Sequence, residues 1–157
     1  MDRAIKSLAG HGVITEREAW LKEAQTAEKG GSLAVCSALV RSTIGAGVEE
    51  EDRKRTWTAD ADECARAGTP HTARTIYEVT LAAFPGDEDV WVAAAQLEKQ
   101  AGTRESLDAL LRRAVTYCPQ AVVLWLMGAK VLLLLSPPPC LAVFRSLALC
   151  SLAHFLL

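Results

Sequence analysis

Residues 57–85 read WTADADECARAGTPHTARTIYEVTLAAFP, and the order of a few residue types in that stretch decides the fold. Trp57 is followed four residues later by Ala61, which places the ring and the methyl group on one helical face, one turn apart. Gly68 stands eleven residues after the tryptophan, where this first helix should end. Only glycine enters the left-handed C-terminal position without a side-chain penalty. Thr69-Pro70 then reads as an N-cap followed by proline at the first helical position. Beyond it Ala73, Ile76, Tyr77, Leu81 and Phe84 recur at helical spacing as one apolar stripe, and Pro85 stops the second helix. The stretch is therefore an antiparallel helix pair, A then B.

The same order recurs outward in both directions. Trp20, Trp57, Trp91 and Trp125 are separated by 37, 34 and 34 residues. Each has alanine four positions on: Ala24, Ala61, Ala95 and Ala129. Gly31, Gly68 and Gly102 follow the first three tryptophans at eleven, and Pro85 and Pro119 follow the second and third at twenty-eight. The third B stripe is Leu107, Leu110, Leu111, Ala114, Val115 and Cys118, with Thr103 placed to cap it. The predicted pairs span 16–29 with 32–45, 52–66 with 70–84, and 88–101 with 104–117, and a fourth A helix starts near 121. Residues 2–9, with Ile5 and Leu8 three apart, are expected to end an earlier B helix. The first unit has Val48 where the others close with proline, and its linker is three residues longer. No alternating run or hairpin dipeptide predicts a strand. A helix pair of this length cannot bury its apolar faces alone, so units stack on a shared core. The predicted fold is all-α, an α-solenoid whose long curved surface suits large partners better than small-molecule turnover.

Composition narrows the function. The chain has 157 residues and a formal charge of -2, with 17 Lys+Arg against 19 Asp+Glu, which lacks the basic footprint of a nucleic-acid binder. Apolar residues at 50% and charged residues at 23% argue for a folded rather than a disordered chain. Cys36, Cys64, Cys118, Cys140 and Cys150 are odd in number and form no Cys-x-x-Cys pair, which fits a reducing compartment. His11, His71 and His154 lie apart from one another and from cysteines at ligand spacing, so no metal motif is expected. Gly45-Ala46-Gly47 begins a dinucleotide fingerprint, but Glu50 occupies the third glycine's place and no strand precedes it. The run from Glu49 to Arg55 sets four acids before three bases, which reads as a solvated helix start with acids at the positive end of the dipole. Arg104, Arg112 and Arg113 read as the solvent face of the third B helix. The first twenty residues have no apolar core of a secretory signal, so a cytosolic start is expected. No enzyme, no cofactor and no small-molecule substrate is expected of this chain.

The second unit, Ala73-Arg74-Thr75-Ile76-Tyr77-Glu78 with Leu81, Phe84 and Pro85, resembles the half-a-TPR (HAT) repeat family. Ordinary tetratricopeptide repeats share the period but place leucine and glycine soon after the tryptophan, whereas Trp91-Val92-Ala93-Ala94-Ala95 does not. The stretches IKSLAGHGV (5–13), GVEEEDRKRTW (47–57), GTRESLDALLRRAV (102–115) and VLWLMGAK (123–130) are similar to the pre-mRNA-processing factor 6 family. That resemblance implies an internal fragment of a nuclear, non-catalytic scaffold of the spliceosomal tri-snRNP. It would support pre-mRNA splicing through contacts with snRNP proteins.

The resemblance covers residues 2–130 and gives two segments, a HAT array over 1–130 and an apolar tail over 131–157. After Lys130 come VLLLL, three prolines and CLAVFRSLALCSLAHFLL, as if the reading frame had left the family sequence. Two alternatives of other classes follow from the residues. One is a HAT protein that touches RNA directly, its tryptophans serving as base-stacking platforms. The regular Trp–Ala pairing is what packing demands, and the near-neutral charge opposes RNA. The other is a tail anchor through residues 140–157, where Arg145 is the one formal charge. At the centre of a span it would cost about 2.5–3.5 kcal/mol, but it lies towards one end, from where it can snorkel.

Overall fold

The computed structural model describes residues 17–45 and 48–133. These form seven α-helices: α1 Arg17–Lys29, α2 Leu33–Thr43, α3 Arg53–Arg66, α4 Pro70–Ala83, α5 Glu88–Ala101, α6 Arg104–Tyr117 and α7 Val122–Leu133. A short 3-10 turn, Glu50–Asp52, leads into α3. The described residues contain no strand, and the fold is an all-α helical-repeat solenoid. The expected helix at 2–9 lies outside the described residues, as does Gly47; the expected A helix near 121 is α7.

Helix pairing follows the repeat. α1 packs on α2, α3 on α4 and α5 on α6, while α4 also packs on α2 and α5, and α7 packs on α6 and α5. Each B helix thus lies in the groove between its own A helix and its neighbours. One continuous core runs through the stack, with Trp20, Ala24, Val40, Trp57, Ala61, Ile76, Trp91, Ala95, Leu111 and Leu124 among its members. Apolar burial at about 25 cal/mol per Å² is the main term holding such layers together.

The turns between A and B helices are built in two ways. At Gly31 (φ 79°) and Gly68 (φ 75°) the backbone is left-handed. Ser32 N–H bonds Ala27 C=O and Gly31 N–H bonds Glu28 C=O, with the same pair made by Thr69 and Gly68 to Cys64 and Ala65. Both are Schellman closures. Gly102 departs from the sequence expectation: its backbone is extended, at φ -98° and ψ -173°. A Cβ there would run into the Glu98 carboxylate, and would lie 2.7 Å from Glu98 O and 2.8 Å from Ser106 Oγ. Glycine is required at this turn for close approach, not for handedness.

Capping divides likewise. Thr103 accepts from Ser106 N–H and Ser106 Oγ accepts from Thr103 N–H, a capping box at the start of α6. Thr69 does not cap α4 with its side chain. Its hydroxyl instead donates to Cys64 O at 2.9 Å, closing the end of α3. The N–H groups that it would have satisfied are taken by a carboxylate from the preceding unit.

Candidate interaction surface

The tryptophan layers set the geometry on which any partner surface is carried. Trp20, Trp57 and Trp91 are buried, and Ala24, Ala61 and Ala95 beneath them are fully enclosed. Ala73, Ile76, Tyr77, Leu81, Leu107 and Leu111 of the B helices are buried against them. Gly31, Gly68, Gly102, Pro85 and Pro119 lie at exposed turns. The fourth layer differs: Trp125 is half-buried and Ala129 is exposed, because no B helix among the described residues covers α7.

Trp91 is the most elaborated of the rings. Its indole N–H donates to Pro85 O at 2.8 Å. Tyr117 stacks on it with centroids 5.8 Å apart and an interplanar angle of 16°, and the Arg113 guanidinium lies 5.8 Å from its centroid. These arrangements lend aromatic and cation–π attraction of about 0.5–1.5 kcal/mol each. Trp125 repeats the first contact, its N–H reaching Pro119 O at 2.9 Å. The indole N–H groups of Trp20 and Trp57 are buried without an acceptor among the described residues.

Polar side chains stitch one unit to the next. Glu28 of α1 accepts from His71 N–H at 2.9 Å, Thr72 N–H at 2.7 Å and Thr72 Oγ1 at 2.6 Å, so it caps α4 across the unit boundary. A carboxylate there also meets the positive end of the helix dipole. Arg17 grips Asp60 of α3 through both carboxylate oxygens, the Nε–Oδ2 contact measuring 2.9 Å. Arg41 pairs with Glu78 at 3.2 Å, Ser37 bonds His71 at 2.9 Å, and Lys54 pairs with Asp87 at 2.6 Å. Arg74 of α4 pairs with Glu98 of α5, which also accepts from Ser106 Oγ at 2.6 Å. No periodicity marks Glu28: its counterparts eight residues after Trp57 and Trp91 are Ala65 and Lys99. It was invisible to the repeat argument for that reason.

The ionisable groups are tuned for structure. Burial pushes the Cys64 thiol up to about 11 and lifts Cys36 and Cys118 above their ordinary value, so these thiols are not activated as nucleophiles. Burial and the hydrogen bond to Asp62 raise the Tyr77 phenol. Burial raises Asp60 despite its arginine partner. For Glu98, burial pushes upward, but the bonds from Arg74 and Ser106 outweigh it and hold the carboxyl below its ordinary value. Among the described residues no three His, Cys, Asp or Glu side chains gather as a metal site, and no helix is long and apolar enough to cross a membrane. An open groove of about 220 Å³ runs between α4, α5 and α6, lined by Arg74, Tyr77, Glu78, Leu110 and Arg113 among others.

No family model matches the chain. Curated proteins do. Over 95 residues, 60% of its length, the chain is 49% identical to "Pre-mRNA-processing factor 6" of Homo sapiens. Over 118 residues, 75% of its length, it is 35% identical to "Pre-mRNA-splicing factor prp1" of Schizosaccharomyces pombe. The chain carries a segment of the pre-mRNA-processing factor 6 family. It is also 58% identical over 56 residues to "Protein STABILIZED1" of Arabidopsis thaliana. The matched stretches make up 10% of the human relative, 13% of the fission-yeast one and 5% of the plant one. This pre-mRNA-processing factor 6 segment is a stack of helix pairs, whose recurring turns and wedges carry the polar side chains between them.

Proposed function

We propose that the chain acts in pre-mRNA splicing as a non-catalytic repeat scaffold, in the nucleus, by contact with snRNP proteins of the tri-snRNP. The observation that carries this reading is the 49% identity to human pre-mRNA-processing factor 6. In this reading residues 1–130 are the HAT array and residues 131–157 an apolar tail outside the family pattern. The Trp–Ala–Gly–Pro positions fix curvature, and exposed polar side chains between them select partners.

Electrostatics supports protein rather than RNA as the partner. Arg17, Arg41, Lys54 and Arg74 are each paired with a carboxylate of the neighbouring unit, which leaves less positive charge to meet phosphates. Sedimentation of the purified full chain with isolated tri-snRNP particles tests the proposal. Co-sedimentation that survives nuclease digestion of exposed RNA is the expected result. Binding to labelled single-stranded RNA that falls steeply with salt, as phosphate contacts require, would replace it with the direct-RNA alternative.

A further inference from the structure

The B helices are joined differently at the two boundaries between complete units. α2 packs directly on α4, and side chains tie the two: Cys36 to Thr72 at 3.2 Å, Ser37 to His71 at 2.9 Å and Arg41 to Glu78 at 3.2 Å. No comparable packing joins α4 to α6. Both rest instead on α5, and the groove of about 220 Å³ opens between them. Buried Tyr77 and Leu97 and half-buried Leu110 give it an apolar lining, while Arg74, Glu78 and Arg113 reach further into solvent. Taking the chain as a protein-contact scaffold, on which this rests, we propose that the groove seats a short segment of a partner protein. In that segment a leucine-sized side chain stands beside a carboxylate.

Size, polarity and charge each select this occupant. Sites for a whole small molecule span about 300–1,000 Å³, and 220 Å³ suits one anchoring side chain. From Ser106 to Arg113 the α6 wall runs for about 10 Å at helical rise, the length of about three residues of extended chain. Polar groups of the lining are already engaged. Tyr77 Oη donates to Asp62 at 2.6 Å, and Glu98 accepts from Arg74 and from Ser106 Oγ. No buried side-chain donor or acceptor of the lining waits for a partner, so an apolar side chain enters without stranding one.

Charge decides the rest. Arg74 is matched by Glu98, and Glu78 by Arg41. Arg113 lies over the Trp91 ring, with no carboxylate in ion-pairing distance among the described residues. It is exposed. The groove therefore keeps one positive charge, which a carboxylate of the occupant answers.

Panning a phage-displayed library of random peptides on the full chain tests the proposal. Peptides that also bind Ala109→Glu are removed by counter-selection. Ala109 lines the groove and is exposed, so glutamate there obstructs and repels without entering the core. The expected survivors carry Leu, Ile or Met within about two residues of Asp or Glu. They should bind Arg113→Glu at least about fivefold more weakly, as when an exposed ion pair becomes a like-charge one. Panning on Arg113→Glu itself should enrich Lys or Arg in place of the acid, an exchange that a damaged fold would not produce. Arg113→Gln, expected to lose the acidic preference without gaining a basic one, carries the test if the glutamate variant fails to fold. Survivors with no acidic preference, or no survivors at all, overturn the proposal. So does a light-scattering mass of a dimer that Ala109→Glu dissociates, which gives the groove to a second copy. A random library draws on no splicing protein, so a failed panning beside intact co-sedimentation with tri-snRNP removes the groove and leaves the scaffold reading.

Discussion

Between the first and second units the chain takes three residues more than between the second and third, and the two junctions are held by different groups. At the second junction Pro85 lies in the turn between α4 and α5, outside either helix, so its carbonyl is available to the Trp91 indole six residues later. The third junction repeats this with Pro119 and Trp125. At the first, the residue six before Trp57 is Glu51, inside the 3-10 turn that runs into α3. Carbonyls of a helical turn point along its axis, and the Trp57 N–H is left without an acceptor among the described residues. Side chains still bridge this boundary, with Glu28 on the start of α4, Arg17 on Asp60 and Ser37 on His71, as Lys54–Asp87 and Arg74–Glu98 bridge the second beside its staple. The core is continuous through both junctions, so the array keeps its stacking where the in-phase staple is lost.

The comparison is broken most severely at Trp91. Trp91→Ala removes a side chain 1% exposed, together with its bond to Pro85 and its stack on Tyr117, and buried aromatic truncations cost about 3–5 kcal/mol. Because each unit shares its core with the next, helices α3 to α6 are expected to melt together at a lower denaturant midpoint by circular dichroism. A midpoint equal to that of the unaltered chain would remove the wedge role. Glu28→Ala is the corresponding cut at the first junction. It strands the His71 and Thr72 N–H groups, and loss of charge-assisted hydrogen bonds should cost about 2 kcal/mol. Hydrogen exchange should quicken at those two amides before it does in α5 or α6.

These two residues also mark how far the sequence could be read. Trp91 was legible because packing imposes one ring per layer, and the same physics set Ala95, Pro119 and the helix bounds within a few residues. Glu28 was not, since a single long side chain crossing a boundary leaves no period. Gly102 was placed correctly but for a reason that was wrong: sequence spacing cannot tell a left-handed turn from a crowded one, and the crowding comes from Glu98 and Ser106. Thr69 shows the same ambiguity. A hydroxyl between two helices can serve either end, and here Glu28 had already taken the donors of α4.

A finer contrast isolates the indole N–H. Trp91→Phe keeps most of the ring and deletes a satisfied donor, whereas Trp57→Phe deletes one that is buried and unpaired. Both lose some apolar contact, but Trp91→Phe should cost about 1 kcal/mol more, the net value of one hydrogen bond. Equal losses in denaturant melts would mean that the proline carbonyl is not a staple.

The smallest effect separates the two buried carboxylates, one at each junction. Glu98 has its folded pKa held below the ordinary 4.5, so its contribution is complete above that pH and disappears as the pH falls through the depressed value. Asp60 has its folded pKa raised above the ordinary 3.8. The folded state therefore favours its protonated form, a contribution fully present below the ordinary value and lost as the pH rises through the raised one. Burial explains the raised value, since the Arg17 side chain is 42% exposed and its attraction is diluted by solvent. Glu98→Gln should thus lower the midpoint of denaturation at pH 7 and lose that deficit towards pH 3. Asp60→Asn should show the opposite trend, its relative stability improving as the pH rises from 3 to 7. Parallel pH profiles for the two variants would show that the junctions do not differ in how they hold charge, and would leave only the indole contact to distinguish them.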